Sequence, residues 1–254
     1  VMKQAAMQHD AADLRDFYKS PLGLVVRRAL HNAIAAHWQG RQAGTMLGLG
    51  FATPFLGRYR RDVTRLGALM PAAQGALVWP TDGPVRSVLV EEHQLPIPDN
   101  SVDRLLAVHC LEMSERVQPL LREMWRVLAP EGRLLLIVPN RGSVWTRRDT
   151  TPFGQGRPYS RSQLESLLVQ SLFTPTTWSG ALYFPPFDRE MFRRAAPAFE
   201  RAGKRLSGAF AGVTLVEAKK EIMAPTGLVR ASPRVLRDLV TVRREGRFTH
   251  QKDR

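Results

Sequence analysis

Cysteine is nearly absent from this sequence. Cys110 is the single cysteine in 254 residues, which excludes an internal disulfide bond and a cysteine-built zinc site. No apolar run approaches the roughly 18 residues of a membrane-spanning helix, and the first residues lack the basic and then apolar pattern of a secretory signal. We therefore expect a soluble, cytoplasmic protein without a transmembrane segment.

Acidic residues are too few to balance the basic ones. The chain has 37 Lys and Arg against 23 Asp and Glu, a formal net charge of +14. The basic residues are concentrated in residues 141–161, 189–205 and 230–254. Such a charge attracts phosphate, anionic lipid or acidic protein at long range. A solvated face or an acidic partner protein is the favoured interpretation over a nucleic-acid site, because neither a zinc-finger spacing nor an RNA-binding motif is present.

Apolar runs alternate with amphipathic segments along most of the chain. Two helices are predicted in residues 11–38, separated at Ser20 and Pro21. Further helices are predicted at residues 55–69, 117–128 and 160–171, and strands at residues 45–49, 75–79, 85–90, 102–109, 132–138, 174–183 and 212–218. Apolar strands that alternate with helices indicate an α/β fold, a doubly wound and mostly parallel sheet covered on both faces. Ligands of such sheets lie beyond the carboxyl ends of the strands.

The chain divides into three regions by pattern. We expect an N-terminal helical segment at residues 1–40, the main domain at residues 41–225, and a basic, flexible tail at residues 226–254. Residues 141–160 are rich in Arg, Gly, Pro and aromatics and have no clear period, which indicates a loop. This loop follows a strand on the ligand side, so it is either a lid or a loop packed on the surface.

Three motifs follow one another between Leu95 and Asn140. They are LPIPDNSVD at residues 95–103, HCLE at residues 109–112 and RVLAPEGR at residues 126–133. In this order they resemble the class I S-adenosylmethionine-dependent methyltransferases of the type 11 group. The resemblance implies a seven-stranded, Rossmann-like methyltransferase fold and the cofactor S-adenosyl-L-methionine. It also implies methyl transfer to an acceptor that the sequence does not identify, without a metal.

The resemblance also implies positions for the cofactor and the acceptor. The pair Gly48 and Gly50 falls where the family has its glycine-rich loop, whose backbone lies against the cofactor because no Cβ intervenes. Glu91 falls where an acidic residue commonly binds the adenine amino group. The expected cofactor contacts are Gly48, Leu49, Gly50, Phe51, Trp79, Glu91, Glu92, His93, Leu95, His109 and Cys110. His109 is also the nearest candidate for a catalytic base. The expected acceptor contacts in the loop are Trp145, Arg148, Arg157 and Tyr159, whose arginines favour an anionic small molecule or attract a protein.

The sequence departs from the family pattern at several points. Met46 stands where an acidic residue usually opens the glycine loop, and Ala52 replaces its last glycine. The helix between the second and third strands is missing. Asp82 is a candidate replacement for the ribose-binding carboxylate, although an aspartate before glycine in a turn has a structural explanation, which is the favoured one. Losing one charge-assisted hydrogen bond costs about 1.5–3 kcal/mol, or roughly ten- to hundredfold in affinity.

Two functions stay open from sequence. One is an active methyltransferase, which requires a nucleoside-shaped cavity at the mouth of the sheet that is not filled by Phe51 or Trp79. The other is a catalytically inactive protein of the same fold that binds or assembles with another protein or a nucleic acid.

Overall fold

Seven strands form a single sheet in the order β3-β2-β1-β4-β5-β7-β6. The structure is a computed structural model that describes residues 10–40, 43–205 and 208–221. Strands β1 to β5 are parallel, and β7 is antiparallel to both of its neighbours. The strands are β1 (Thr45–Gly50), β2 (Arg65–Pro71), β3 (Ser87–Val90), β4 (Val102–Val108), β5 (Leu128–Pro139), β6 (Phe173–Ala181) and β7 (Val213–Lys220). The predicted doubly wound α/β sheet is confirmed.

Helices cover both faces of this sheet. They are α1 (Ala11–Lys19), α2 (Pro21–His37), α3 (Thr53–Leu56), α4 (Val117–Val127), α5 (Arg161–Gln170) and α6 (Glu190–Arg205). Helices α1, α2 and α3 contribute to the apolar cluster on one face, and α4 and α5 contribute to the cluster on the other. Helices α1 and α2 therefore pack directly on the sheet and share one apolar core with it.

The helix boundaries follow from local chemistry. Asp10 begins α1 by accepting hydrogen bonds from the amides of Ala12 and Asp13. Ser20 ends α1 and caps α2, whose first residue is Pro21, a position where the missing N–H is not needed. Helix α5 begins with the predicted capping box between Ser160 and Gln163.

The region between β1 and β3 differs from its prediction. The helix predicted at residues 55–69 is wrong, because only α3 and a 3-10 helix at Gly57–Tyr59 form before β2 begins at Arg65. The strand predicted at residues 75–79 is also wrong, since the second strand is Arg65–Pro71 and residues 75–79 are irregular. The predicted absence of a helix after the second strand agrees with the structure, where one 3-10 helix, Ala72–Gln74, precedes β3.

The first and third motifs meet in a polar clamp below β4. The Arg126 guanidinium, on α4, donates to the carbonyls of Leu95 and Ile97 and to the carboxylates of Asp99 and Glu123. Glu123 also accepts from the amide of Leu95 at 2.7 Å. The clamp holds the loop between β3 and β4 against α4, so these motif residues serve the fold.

Four further expectations concern the tail, membrane-spanning helices, metal sites and the location of the protein. The predicted tail at residues 226–254 lies entirely outside them. Within them, no helix is long and apolar enough to cross a membrane. The same part of the chain holds no group of three or more His, Cys, Asp or Glu side chains suited to a metal ion. The cytoplasmic location stays a prediction.

Candidate active site

The carboxyl ends of β1 to β5 lie at one edge of the sheet because these strands are parallel. The glycine pair ends β1, His109 follows β4, and Glu91 follows β3. The structure therefore brings the predicted residues to the edge where ligands of such sheets bind.

A cavity of about 240 Å³ opens at the ends of β2 and β3. Its walls are the 3-10 helix after β2, the residues that follow β3, and a turn after β4, and its lining residues are Pro71, Ala72, Ala73, Gln74, Glu91, Glu92, His93, Met113 and Glu115. Three carboxyl groups line it, those of Glu91, Glu92 and Glu115. Carboxylates accept hydrogen bonds from amino and hydroxyl groups, which are the polar groups of a nucleoside. Of the predicted cofactor contacts, Glu91, Glu92 and His93 line this cavity.

The two glycines have an explanation inside the protein. A Cβ at Gly50, whose φ is +76°, would lie 2.3 Å from the carbonyl oxygen of Val108, so only glycine lets β1 end against β4. A Cβ at Gly48 would meet Ala52 and Leu56 at 2.7 Å, so this glycine lets α3 pack on β1. Close packing alone thus requires both residues, whether or not a ligand is bound.

Gln74 crosses the end of β1. Its side chain is buried, with 3 % exposure, and its amide Nε2 donates to the carbonyl of His109. Because β1 lies between β2 and β4, a side chain that reaches from the end of β2 to the end of β4 must pass over the end of β1, next to Gly50. Gln74 therefore separates the cavity from the glycine pair.

His109 is held on both sides and is 1 % exposed. Its Nε2 lies 2.9 Å from the hydroxyl of Tyr18, on α1, and its Nδ1 lies 3.2 Å from Oε1 of Glu112. Burial, and then the charge of Glu112, raise the pKa of Tyr18 well above its ordinary value, so its hydroxyl keeps the proton. We assign the tautomer in which Tyr18 donates to Nε2 and Nδ1–H donates to Glu112.

This network leaves one polar atom unsatisfied. Oε2 of Glu112 is buried and has no hydrogen-bond partner among the described residues. A buried carboxylate oxygen without a donor is unfavourable unless a ligand or a water supplies one. Sequence reasoning missed Tyr18, although the spacing of Ala11, Leu14 and Tyr18 on one helix face was a signal of its burial.

Other expected contacts lie away from the cavity. Phe51 is buried in the core, stacked on Tyr18 with ring centroids 5.7 Å apart. The backbone of Trp79 bonds to Ser87 and Arg86, and its partly buried side chain packs against the apolar cluster that includes α1, α2 and α3. Neither aromatic side chain fills the cavity, nor does either line it. Leu95 belongs to the core on the opposite face.

Three further residues singled out in the sequence, Met46, Asp82 and Cys110, are either buried or paired with another residue of the protein. Burial, and then the charges of Glu92 and Glu112, raise the pKa of the Cys110 thiol well above its ordinary value, so Cys110 stays protonated and unreactive. Asp82 is exposed and pairs with Arg60 through two hydrogen bonds of 2.9 and 3.0 Å. Met46 is fully buried in the core and presents no polar group to the sheet edge.

The loop of residues 141–160 packs down on the sheet edge. Trp145 is completely buried and donates from its indole nitrogen to the carbonyl of Phe184. The Phe153 ring lies 5.0 Å from the His109 ring. Burial raises the pKa of Tyr159 to about 12, and its hydroxyl donates to the carbonyl of Leu111. Among the four expected acceptor contacts, only Arg148 and Arg157 are exposed.

S-adenosylmethionine fits this arrangement in part. The carboxyl groups suit its nucleoside, but 240 Å³ is below the roughly 300 Å³ at which ligand pockets begin. The His109 carbonyl, 3.1 Å from the position of a Cβ at Gly50, accepts from Gln74, so this side chain lies in the region where the resemblance places the rest of the cofactor. A larger cavity of about 800 Å³ is lined by residues of α2 and β6, but β6 lies four strands away from β1.

Comparisons with known proteins agree with the fold. Residues 47–136 match the family model described as Methyltransferase domain, Methyltransf_11. No curated protein matches the chain. A chain in the complex between the Haloferax volcanii Trm112 methyltransferase activator and a methyltransferase has a TM-score of 0.60 at 17% identity, over 84% of this chain and 96% of that one.

Two further solved structures extend the comparison. An S-adenosylmethionine-dependent methyltransferase from Thermotoga maritima has a TM-score of 0.53 at 14% identity, over 83% of this chain and 95% of its own. The [4+2]-cyclase SpnF has a TM-score of 0.53 at 16% identity, over 87% of this chain and 89% of its own. The resemblance inferred from sequence is confirmed: the chain has the class I methyltransferase fold, and its residues 47–136 match the methyltransferase-domain family model.

Proposed function

We propose that this protein transfers a methyl group from S-adenosylmethionine to an acceptor that is not yet identified. The observation that supports this most directly is the carboxyl-lined cavity at the ends of β2 and β3, at the same sheet edge as the glycine pair, in a chain whose residues 47–136 match a methyltransferase-domain model. Glu91 and Glu92 would hold the nucleoside through its amino and hydroxyl groups. The cofactor supplies the methyl group as part of a sulfonium ion.

Binding of the whole cofactor requires Gln74 to move. Its side chain must release the His109 carbonyl so that the cavity reaches Gly50. The released carbonyl and the unsatisfied Oε2 of Glu112 would then both face that end of the site. Glutamine has rotatable side-chain bonds, so this opening needs no backbone change.

The surroundings of His109 favour an acceptor that needs no strong base. Both ring nitrogens of His109 are engaged, and Cys110 is a buried thiol. Positioning alone can supply most of the rate of a displacement reaction. We therefore propose a neutral nitrogen or sulfur atom as the methyl acceptor. The exposed Arg148 and Arg157 would attract an acceptor that is anionic elsewhere in the molecule.

Calorimetric titration with S-adenosylhomocysteine tests the proposal. We expect the wild-type protein to bind, and Glu91→Gln to weaken binding about tenfold, since a charged acceptor is worth about 1.5–3 kcal/mol. Glu165→Gln is the matched control, because Glu165 is exposed on α5 and does not line the cavity. Absence of heat with the wild type at high micromolar ligand, or equal affinity of Glu91→Gln and wild type, contradicts the proposal.

A catalytically inactive protein of the same fold is the second candidate. The position of Gln74 and the small cavity favour it, and the cyclase named above shows that this fold does not fix one reaction. Such a protein would act by binding a partner protein or nucleic acid. If neither the wild type nor Gln74→Ala binds S-adenosylhomocysteine, this candidate replaces the first.

A further inference from the structure

Helix α6 has an outer face that the proposed methyl transfer does not use. Met191, Ala195, Ala198 and Ala202 recur at spacings of four, three and four residues, so they lie in one row along the helix. Met191 is 67 % exposed, and Ala198 and Ala202 are also exposed. A large, strongly exposed apolar side chain in a row of small ones forms an apolar strip on the protein surface.

Arginines follow one edge of this strip. Arg194, Arg201 and Arg205 recur at spacings of seven and four residues and are all exposed. On a helix this places them in a second row, roughly 60° around the axis from the first. On the other side of the strip lies Phe199, which is 39 % exposed. Arg194 is paired with Glu190 one turn before it, so Arg201 and Arg205 are the members of the row that carry the proposal. The outer face of α6 thus presents, in order, a row of arginines, a row of apolar side chains and an aromatic ring.

The inner face fixes the helix to the body of the protein. Ala196 is buried in the core below α2. A Cβ at Gly203 would lie 2.1 Å from the Tyr183 ring, so the helix sits directly on that ring. Glu200 accepts from the amide of Tyr183 at 2.8 Å. The outer face is therefore held in place before any partner arrives.

We propose that this outer face binds an anionic lipid bilayer, with α6 lying in the plane of the membrane surface. Arginine stems reach along apolar surface while their guanidinium groups meet lipid phosphates. Met191 and Phe199 would enter the boundary between headgroups and acyl chains. The net charge of +14 supplies long-range attraction to the same surface.

The apolar strip decides between partners. A nucleic-acid backbone uses arginines but gains nothing from an exposed methionine and a row of alanines beside them. A protein partner would need a groove that matches this strip and carboxylates opposite the arginines, whereas a lipid surface needs no such match. A bilayer accepts a convex amphipathic helix over its whole length.

Vesicle flotation with the full chain tests the proposal. We expect binding to vesicles of phosphatidylcholine with one quarter phosphatidylglycerol, little binding to pure phosphatidylcholine, and weaker binding at high salt. Met191→Gln and the double variant Arg201→Glu, Arg205→Glu should each weaken binding at least fivefold. Both changes are on exposed positions, and thermal unfolding by circular dichroism verifies that each variant is folded.

The matched control for the double arginine variant makes the same change in net charge at a different place on the protein surface. Arg116→Glu with Arg122→Glu alters two exposed arginines at α4, on the opposite face of the sheet, and should leave vesicle binding within twofold of wild type. Equal loss in the control means that total charge alone binds the vesicles, which overturns the proposal. Absence of vesicle binding by the wild type also overturns it. So does a Met191→Gln variant that binds vesicles as well as the wild type does and also binds RNA or polyglutamate equally well. These results do not depend on cofactor binding, which the calorimetric titration measures.

Discussion

Gln74 links three features of the site. It follows β2, it is buried, and its amide spans the end of β1 to reach the carbonyl after β4. The resemblance placed a cofactor in that space, and the structure places a protein side chain there. Binding and the internal hydrogen bond therefore compete for the same position.

Replacing Gln74 by alanine should raise the affinity for S-adenosylhomocysteine. A typical internal hydrogen bond contributes about 0.5–1.5 kcal/mol, so removing the one that must break predicts roughly two- to tenfold tighter binding and a similar loss of folding stability. Titration calorimetry and urea unfolding measure the two effects. Gln94→Ala, at an exposed position after β3, is the control. Weaker binding by Gln74→Ala would mean that Gln74 assists the ligand.

Tyr18→Phe tests the network around His109. Removing the hydroxyl leaves Nε2 of a buried histidine without its partner at 2.9 Å, and such a loss costs about 1–3 kcal/mol. Urea unfolding should show this decrease. Tyr59→Phe is a close control, since the Tyr59 hydroxyl is buried and has no hydrogen-bond partner in the part of the chain that the structure describes. We expect Tyr59→Phe to be neutral or stabilising, and equal effects of the two changes would argue against the assigned network.

At the scale of elements, the clamp between α4 and the loop before β4 explains why the first motif lies where it does. Arg126 makes hydrogen bonds to four residues and holds a loop that contains two prolines, Pro96 and Pro98, and therefore few amides of its own to bond. The motif is a fold determinant, and it specifies the path of the chain between β3 and β4.

Glu123→Gln should weaken this clamp in a pH-dependent manner. The hydrogen bonds from Arg126 hold the pKa of Glu123 below its ordinary value despite partial burial. A carboxyl group with a lowered folded-state pKa stabilises the fold above its unfolded pKa of about 4.3 and loses that contribution as the pH falls through the folded pKa.

The measurement follows from that sign. At pH 7 we expect Glu123→Gln to be less stable than wild type by about 1.5–3 kcal/mol, the range for hydrogen bonds to a charged group. The difference should shrink below pH 4, as followed by urea unfolding across the pH range. A difference that is constant between pH 7 and pH 3 would show that the charge of Glu123 has no part in the clamp.

Element prediction succeeded where one period dominated the sequence. The strand predicted at residues 102–109 and the helix at residues 117–128 lie within one residue of Val102–Val108 and Val117–Val127. Prediction failed at residues 55–69. The apolar positions there fit a helix period, but the chain forms only α3 and a 3-10 helix before β2 begins at Arg65. The apolar run at residues 75–79 looks like a strand, yet its backbone bonds to the Ser87 side chain and to the Arg86 amide and forms no ladder with a strand.

The sequence predicted the residues that follow β3 at the edge of the sheet, but it did not predict the side chains that reach the site from elsewhere in the chain. Glu91, Glu92 and His93 were predicted as cofactor contacts from the family resemblance, and they line the cavity because they follow β3 at the carboxyl edge of the sheet. Their role as contacts stays a prediction. Gln74 and Tyr18 were missed because their roles depend on contacts with His109 across 35 and 91 residues of sequence. Neither contact leaves a local pattern.

At the scale of the whole molecule, the short connection between β2 and β3 leaves one sheet edge open. Strand β3 has four residues, and four large apolar side chains on it and in the connection are exposed: Val78, Val85, Val88 and Leu89. In the helical connection that the resemblance implies, a helix would cover part of this surface. An uncovered edge strand with apolar side chains is prone to pair with another chain.

Leu89→Lys should therefore reduce association of the protein at high concentration. A charged side chain on an edge strand opposes pairing, and the position is half exposed, so folding should be little affected. Light scattering across a concentration series measures the effect. Thr176→Lys places the same charge on β6, the strand at the other edge of the sheet, and should have a smaller effect. Equal effects of the two changes would indicate a general response to added charge.

The position of Tyr18 has a consequence for any shortened version of the chain. The aromatic ring that stacks on Phe51 and the hydroxyl that meets His109 both belong to a helix that ends at Lys19. A truncation that starts at Pro21 would keep every strand of the sheet and yet leave a histidine, a phenylalanine and a carboxylate open to water at its centre. Helix α1 thus covers His109, and any fragment that begins after Lys19 would lose this cover while keeping the whole sheet.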